Sequence, residues 1–167
     1  MPEKETLERA REDAREGKAP STQAGEFVRE EMHHVREGKH GARSTKQAIA
    51  IGLSKARRAG VKLPPPPATA EPGTIESAES ATRRAGRKPS PRRSRAITKA
   101  LKREPHRAAM PKALAKQAKS AAHRRSPAAR SAAARHAAET KGPAGRRAAA
   151  QKAARTRQRH QQTAEAS

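Results

Sequence analysis

The chain has 167 residues, of which 39 are Lys or Arg and 16 are Asp or Glu, so its formal net charge is +23. Only 16 residues are apolar and larger than alanine, and Cys, Trp and Tyr are absent. This composition excludes disulfide frameworks, thiol catalysis and one large hydrophobic core. We therefore expect a mostly disordered chain with all-α elements.

The charge is distributed unevenly along the chain. Residues 1–67 hold 14 basic and 10 acidic residues, whereas residues 68–167 hold 25 basic and 6 acidic residues. Four consecutive prolines at 64–67 form a polyproline II spacer between the two parts. The sequence predicts four segments, namely a charged N-terminal helix within 1–20, a helical hairpin at 21–63, a Pro-rich linker at 64–74 and a basic, disordered tail at 75–167.

Two helices are predicted before residue 40. Residues 3–16 read as a short charged helix that is marginal on its own. Residues 22–37 place Val28, Met32 and Val35 at i, i+4 and i+7, which is the spacing of one apolar helix face. The second helix therefore has a face that can pack against a neighbour.

The strongest helix signal spans residues 44–59. Ser44 is a good N-cap, and Gln47 three residues later completes a capping-box pattern. Ile49 and Leu53 give this helix an apolar face, so it is expected to pair with the preceding helix as an αα-hairpin. A weak homodimer, or docking on a partner, would add buried surface to so small a unit. The expected core residues are Phe27, Val28, Met32, Val35, Ile49, Leu53 and Val61.

The basic tail is of low complexity and is divided by prolines. Its clearest block is 126–143, where Ser126 can cap a helix, Pro127 suits the first helical position and Gly142 can end it. The block has no apolar face, so we expect transient helices that gain order when phosphates neutralise their charges.

The density of positive charge in the tail predicts a nucleic-acid partner, because each neutralised phosphate releases counterions. No aromatic residue lies in the tail, which argues against base stacking and favours phosphate contacts to duplex DNA or structured RNA. The candidate contact residues of the tail are Arg83, Arg84, Arg87, Lys88, Arg92, Arg93 and Arg95.

The third predicted helix carries a second group of basic residues on and just beyond its non-core face. No acidic residue lies between 38 and 70, so this face can also lie along a phosphate backbone. Its candidate contact residues are Lys46, Lys55, Arg57, Arg58 and Lys62.

Metal binding and catalysis are not expected. Glu30, His33 and Glu37 lie at i, i+3 and i+7 with His34 and His40 nearby, a spacing that could bind Zn²⁺ or Ni²⁺. Surface histidines are the simpler interpretation, so we expect no metal site and no cofactor. No catalytic residue is identified, and the chain is not expected to be an enzyme.

Two parts of the chain resemble known families. Residues 46–54 (KQAIAIGLS) lie within a stretch, about 27–63, that resembles a small bacterial domain of unknown function, and this resemblance implies no activity. The tail resembles the Ala-, Lys- and Pro-rich extensions of bacterial histone H1-like proteins. Within it, residues 90–93 (SPRR) are similar to the S-P-basic-basic turns of histone H1 tails, and 86–89 (GRKP) resembles the core of an AT-hook.

The sequence thus predicts sequence-independent DNA binding and compaction by a nucleoid-associated, histone H1-like protein. The alternatives are an RNA- or ribosome-associated basic protein, or a protein-interaction hairpin with a tethering tail. No apolar run is long enough to span a membrane and the N-terminus lacks the apolar region of a signal peptide, so a cytoplasmic location at the nucleoid is expected.

Overall fold

The computed structural model describes residues 2–165, and these residues are all-α. A short 3-10 helix, His106–Ala109, precedes α6. The chain divides into two compact units between Ala118 and Lys119, within α6. The α-helices are α1 (Lys4–Arg15), α2 (Pro20–Arg36), α3 (Thr45–Arg58), α4 (Pro72–Arg83), α5 (Pro91–Leu101), α6 (Pro111–His123) and α7 (Pro127–Glu165).

The expectation of a mostly disordered chain with transient helices in its tail is wrong, because helices continue through residues 72–165. Two physical reasons explain the difference. Alanine, arginine, lysine and glutamine have the best helix propensities, so their abundance favours helices even without a large core. The core itself is also built from small side chains, since nine of the twelve buried apolar residues among those described are alanines.

The N-terminal unit contains the predicted helical hairpin, formed by α2 and α3. The predicted N-cap is confirmed, because the Ser44 hydroxyl accepts a hydrogen bond of 3.2 Å from the backbone N–H of Gln47. One buried cluster lies where α1, α2 and α3 meet and is centred on Phe27, which is fully buried. Its buried members are Ala10, Ala24, Phe27 and Ala56, with Leu7, Leu53, Val61 and Leu63 packed against them.

The second buried cluster combines the hairpin with residues beyond the proline spacer. Ala108 and Ala109 of the 3-10 helix pack with Met32 and Val35 of α2, and Leu114 of α6 packs against them. The connection between α2 and α3 is tied to the same region by a 2.9 Å hydrogen bond from the Gly41 N–H to the Leu101 carbonyl. Part of the expected tail is therefore part of the core.

Gly52 sets the distance between the two helices of the hairpin. A Cβ atom at this position would lie 2.8 Å from the Cα atom of Val28, closer than real Cβ atoms approach a backbone. The absence of a side chain on α3 thus allows the backbone of α2 to come into direct contact, and this contact holds the hairpin together at its centre.

In the C-terminal unit, α7 begins and breaks where the sequence indicates. The Ser126 hydroxyl accepts a 3.1 Å hydrogen bond from the Ala129 N–H, and Gly142 adopts a non-helical conformation with φ of 63°. The helix then resumes at Pro143, which the sequence analysis did not predict. No described side chain of α7 is buried, so this helix is stabilised by its own local interactions.

Candidate nucleic-acid interface

The acidic side chains of the N-terminal unit are mostly neutralised within that unit. Glu26 pairs with Arg9 at 2.8 Å and with Arg29 at 3.1 Å. Two further buried carboxylates, Glu30 and Glu31, share the ammonium group of Lys55. Opposite charges are therefore brought together inside the first three helices, and these acids do not offset the basic residues that follow.

The pKa values of two carboxylates, Glu30 and Glu3, are lowered by their surroundings. Burial raises the pKa of Glu30, but hydrogen bonds from the Glu3 N–H and the charge of Lys55 outweigh it, so the pKa lies below its ordinary value. Hydrogen bonds with His34 and Lys39 lower the pKa of Glu3 to about 2. Both carboxylates therefore keep their negative charge at neutral pH.

Among the predicted contact residues of α3 and the stretch after it, Lys55 faces inward. Its side chain is 18% exposed, and its Nζ atom lies 2.7 Å from Glu31 Oε2 and 3.2 Å from Glu30 Oε1. Arg57 is half-buried and donates a 2.9 Å hydrogen bond to the Pro64 carbonyl. The remaining three, Lys46, Arg58 and Lys62, are exposed.

The structure brings the end of α3 next to the end of α4. The Gly86 N–H donates a 2.9 Å hydrogen bond to the Arg58 carbonyl, and Gly86 has the positive φ of 73° that turns the chain there. The packing rests on the buried side chains of Ala78 and Ala81 in α4. Helix α4 is thus held against α3. Four exposed basic residues lie at its end or just after it, namely Arg83, Arg84, Arg87 and Lys88.

Helix α5 carries the remaining predicted contacts. Arg92, Arg93 and Arg95 are exposed at its N-terminal end, and no residue of the helix is buried. Positive side chains at this end oppose the helix dipole, so an anion bound there would relieve the repulsion. The SPRR segment is helical from Pro91 onward, and an extended arginine strand is not present at these residues.

Sequence reasoning did not identify Lys99 and Lys102 as candidate contacts. With Arg95 they follow the spacing i, i+4 and i+7, so all three lie on one face of α5. Ser94, Arg95, Thr98, Lys99 and Lys102 line a shallow depression on the surface of the N-terminal unit. The helical spacing of the three basic residues was the signal that could have found them.

From Arg84 to Arg159 the chain holds 24 lysine and arginine residues, and all of them are exposed. The last ion pair among the described residues is the 3.4 Å contact between Arg83 and Glu79. The basic residues beyond it, in either unit, thus have no ion pair with an acidic residue among the described side chains of residues 84–163. Their charge is available to an external anion.

The fold and this surface define an all-α protein whose N-terminal helices are internally ion-paired and whose later helices are basic and exposed. Residues 19–66, which include α2 and α3, match the model of a domain family of unknown function (DUF6496). This agrees with the resemblance noted for residues 27–63. No curated protein and no solved structure matches the chain.

The comparisons give no support to a histone H1-like tail. Among the described helices, none combines the length and the apolar character needed to cross a membrane.

Proposed function

We propose that the chain binds double-stranded DNA without reading its sequence and compacts it by neutralising phosphates, as a nucleoid-associated protein does. The observation that carries this proposal is the set of 24 exposed lysine and arginine residues that have no acidic partner among the side chains that the structure describes. Exposed, unpaired cations at this density bind polyanions by releasing counterions.

The side-chain chemistry favours the phosphate backbone over the bases. The chain has one Phe and no Trp or Tyr. That residue, Phe27, is fully buried and cannot stack on a base. Arginine and lysine on exposed helices bind phosphates in any sequence context. Binding is therefore expected to depend strongly on salt and weakly on sequence.

Because many of the basic residues lie on helices, helix geometry sets the distances between the proposed contacts. The part of α7 after Gly142 is about 34 Å long at 1.5 Å per residue. One turn of duplex DNA also rises about 34 Å along its axis, so a helix of this length placed alongside the duplex would span the axial length of one turn and could contact phosphates on both sides of a groove. Separate basic helices joined by breaks could contact more than one duplex segment, which is the geometry that compaction needs.

The test is a fluorescence-anisotropy titration of the full chain with a labelled 30-base-pair duplex at several salt concentrations. If ten phosphates are contacted, the slope of log K against log salt is expected to be about −9, and two unrelated sequences should give the same curves. A flat salt response would contradict the proposal. Competition by structured RNA at lower concentration than DNA would favour the RNA-associated alternative instead.

A pair of charge-matched variants locates the contacts. The triple change of Arg92, Arg93 and Arg95 to Gln removes exposed charges from α5, and the control changes Lys4, Arg11 and Arg15 of the acid-rich α1 to Gln. The α5 variant should reduce the slope to about −6, whereas the control should leave it near −9. Equal effects of the two variants would show that only the net charge matters.

A further inference from the structure

Outside the basic surface, the hairpin places one carboxylate and two imidazoles together. Glu31 and His34 lie one turn apart on α2, and His40 lies in the connection to α3. One ligand atom from each side chain lies within 4.8 Å of the other two. Gly38, with a φ of 75°, ends α2 and turns the chain so that His40 returns beside the helix.

Glu31 is the most unusual member of this group. Its side chain is fully buried, and neither of its oxygens has a hydrogen bond. Lys55 Nζ lies 2.7 Å from Oε2, close enough for an ion pair but without hydrogen-bond geometry. Oε1 faces Nε2 of His40 at 3.4 Å, again without a hydrogen bond. Burying a carboxylate whose two oxygens lack hydrogen bonds is costly, and a further cationic partner would reduce that cost.

The charges around Glu31 also favour an additional cation. Glu30 and Glu31 are both buried, Lys55 is the ammonium that both of them share, and the imidazoles of His34 and His40 lie 3.9 Å from Glu30 and 3.4 Å from Glu31. With both imidazoles in their neutral form, two carboxylates and one ammonium leave one net negative charge among buried side chains, and this is costly unless another cation is present. A divalent ion held beside Glu31 would remove that excess.

The two imidazoles are oriented as metal-binding histidines are. His40 Nδ1 lies 3.1 Å from the Gly41 carbonyl, which can only accept, so Nδ1 carries the proton and the Nε2 lone pair faces Glu31. His34 Nε2 lies 2.9 Å from Glu3 Oε1, which in the same way leaves the lone pair on Nδ1, an atom that lies 3.9 Å from Glu30 Oε1 and could ligate an ion there. Metal-bound histidines usually donate their second N–H to a carbonyl or carboxylate in this manner.

The distance between the two facing atoms also fits a metal ion. Two ligand atoms that are each about 2.1 Å from a tetrahedral Zn²⁺ lie about 3.4 Å apart. The 3.4 Å between His40 Nε2 and Glu31 Oε1 therefore equals one edge of such a site. The side chains of His34 and His40 are 11% and 13% exposed, whereas that of Glu31 is fully buried.

We infer that Glu31, His34 and His40 form a binding site for a divalent transition metal, with Zn²⁺ the best match to two nitrogens and one oxygen. Three protein ligands leave a fourth position for water. The ion would tie the end of α2 to the connection that precedes α3, and Lys55 would stay paired with the second oxygen of Glu31. This inference does not depend on the proposed binding of DNA.

The experiment measures Zn²⁺ binding to the full chain, after removal of metal and nucleic acid, by competition with a chromophoric chelator. The test variant is His40→Ala, and the matched control is His33→Ala, because His33 neighbours His34 but is 63% exposed and pairs with Glu37. The unmodified chain and His33→Ala should each bind one Zn²⁺ with the same affinity. His40→Ala should bind about 100-fold more weakly or worse.

Zinc-edge X-ray absorption on the unmodified chain identifies the ligands without any substitution and should show two imidazoles and a carboxylate. Glu31→Gln, which keeps the shape of the side chain, should also weaken binding, and far-UV circular dichroism checks that each variant is folded. Equal affinities for His40→Ala and His33→Ala would overturn the inference. So would wild-type affinity in Glu31→Gln, or no Zn²⁺ binding by the unmodified chain, which would leave Lys55 as the cation that neutralises this cluster.

Discussion

Helices α1–α3 and helix α7 are both rich in charge, but different interactions hold them in place. In α1–α3, buried alanines pack around Phe27 in one cluster and around Val35 in another, and ion pairs cross from one helix to another. In α7 no described side chain is buried, and the described interactions join residues no more than four apart. The difference shows that a helix and a core are separate requirements, and that a composition too poor for a large core can still form helices.

The largest expected effect comes from removing the shared cation of α3. Lys55→Met leaves the buried carboxylates Glu30 and Glu31 without their ammonium partner, which should destabilise the N-terminal unit by about 3 kcal/mol. Lys46→Met, on an exposed position of the same helix, is the control and should change stability by less than about 0.5 kcal/mol.

Hydrogen exchange followed by mass spectrometry on peptides from α2, α3 and α7 measures the local stability of α1–α3 and of α7 separately. Lys55→Met should speed exchange in α2 and α3 and leave α7 unchanged. Faster exchange in α7 as well would break the comparison, because it would show that the two regions unfold together.

Two glycine substitutions should change the stability by intermediate amounts and in opposite directions. Gly52→Ala puts a Cβ atom 2.8 Å from the Cα atom of Val28, and the overpacking should cost about 1–3 kcal/mol. Gly25→Ala, on α2 with no atom within 4 Å of the new methyl group, should stabilise by about 0.5–1 kcal/mol through improved helix propensity.

Urea unfolding of the two glycine variants, followed by the same exchange measurement, tests whether packing or propensity limits the hairpin. If both substitutions stabilise the chain, the close contact between α2 and α3 is not present in solution.

The smallest expected effect is in the C-terminal region. Ser126→Ala removes the hydroxyl that accepts the Ala129 N–H and should weaken the start of α7 by about 0.5–1 kcal/mol. Ser131→Ala, an exposed serine inside the same helix, is the control and should leave the start of α7 intact. Exchange protection of the first two turns of α7 is the measurement. Loss of protection along the whole helix would mean that its stability depends on this cap far more than local propensity predicts.

The sequence predicted the hairpin well because its helices begin and end at residues with a clear local signature. Ser44 with Gln47 marked the start of α3, and Gly38 followed the end of α2. It did not predict the packing of Ala108 and Ala109 against the hairpin, because two alanines in a basic stretch carry no periodic pattern. That contact joins residues that lie far apart in the sequence.

The expectation of disorder was wrong for a related reason. Counting large apolar residues measures how much surface can be buried, and it does not measure the helix propensity that alanine and arginine supply to residues 127–165. Whether those residues bind DNA stays a prediction.

At the candidate site, the inward position of Lys55 could have been predicted from the spacing of buried residues along α3. Ala48 and Gly52 are buried on α3, and Lys55 lies at i+7 and i+3 from them, so it shares their face. The histidine cluster was harder to predict. Spacing along α2 suggested Glu30, His33 and Glu37, whereas the observed group includes His40, whose position depends on the turn at Gly38.

The boundaries of the family match differ from the boundaries of the buried clusters. The segment recognised as a family domain covers residues 19–66, yet Ala10 of α1 and Ala108, Ala109 and Leu114 from beyond the prolines contribute to the cores around it. The segment that matches the family is therefore shorter than the stretch of chain that builds these cores. A fragment cut to the family boundaries would expose the face of Met32 and Val35, and its behaviour would describe a truncated core.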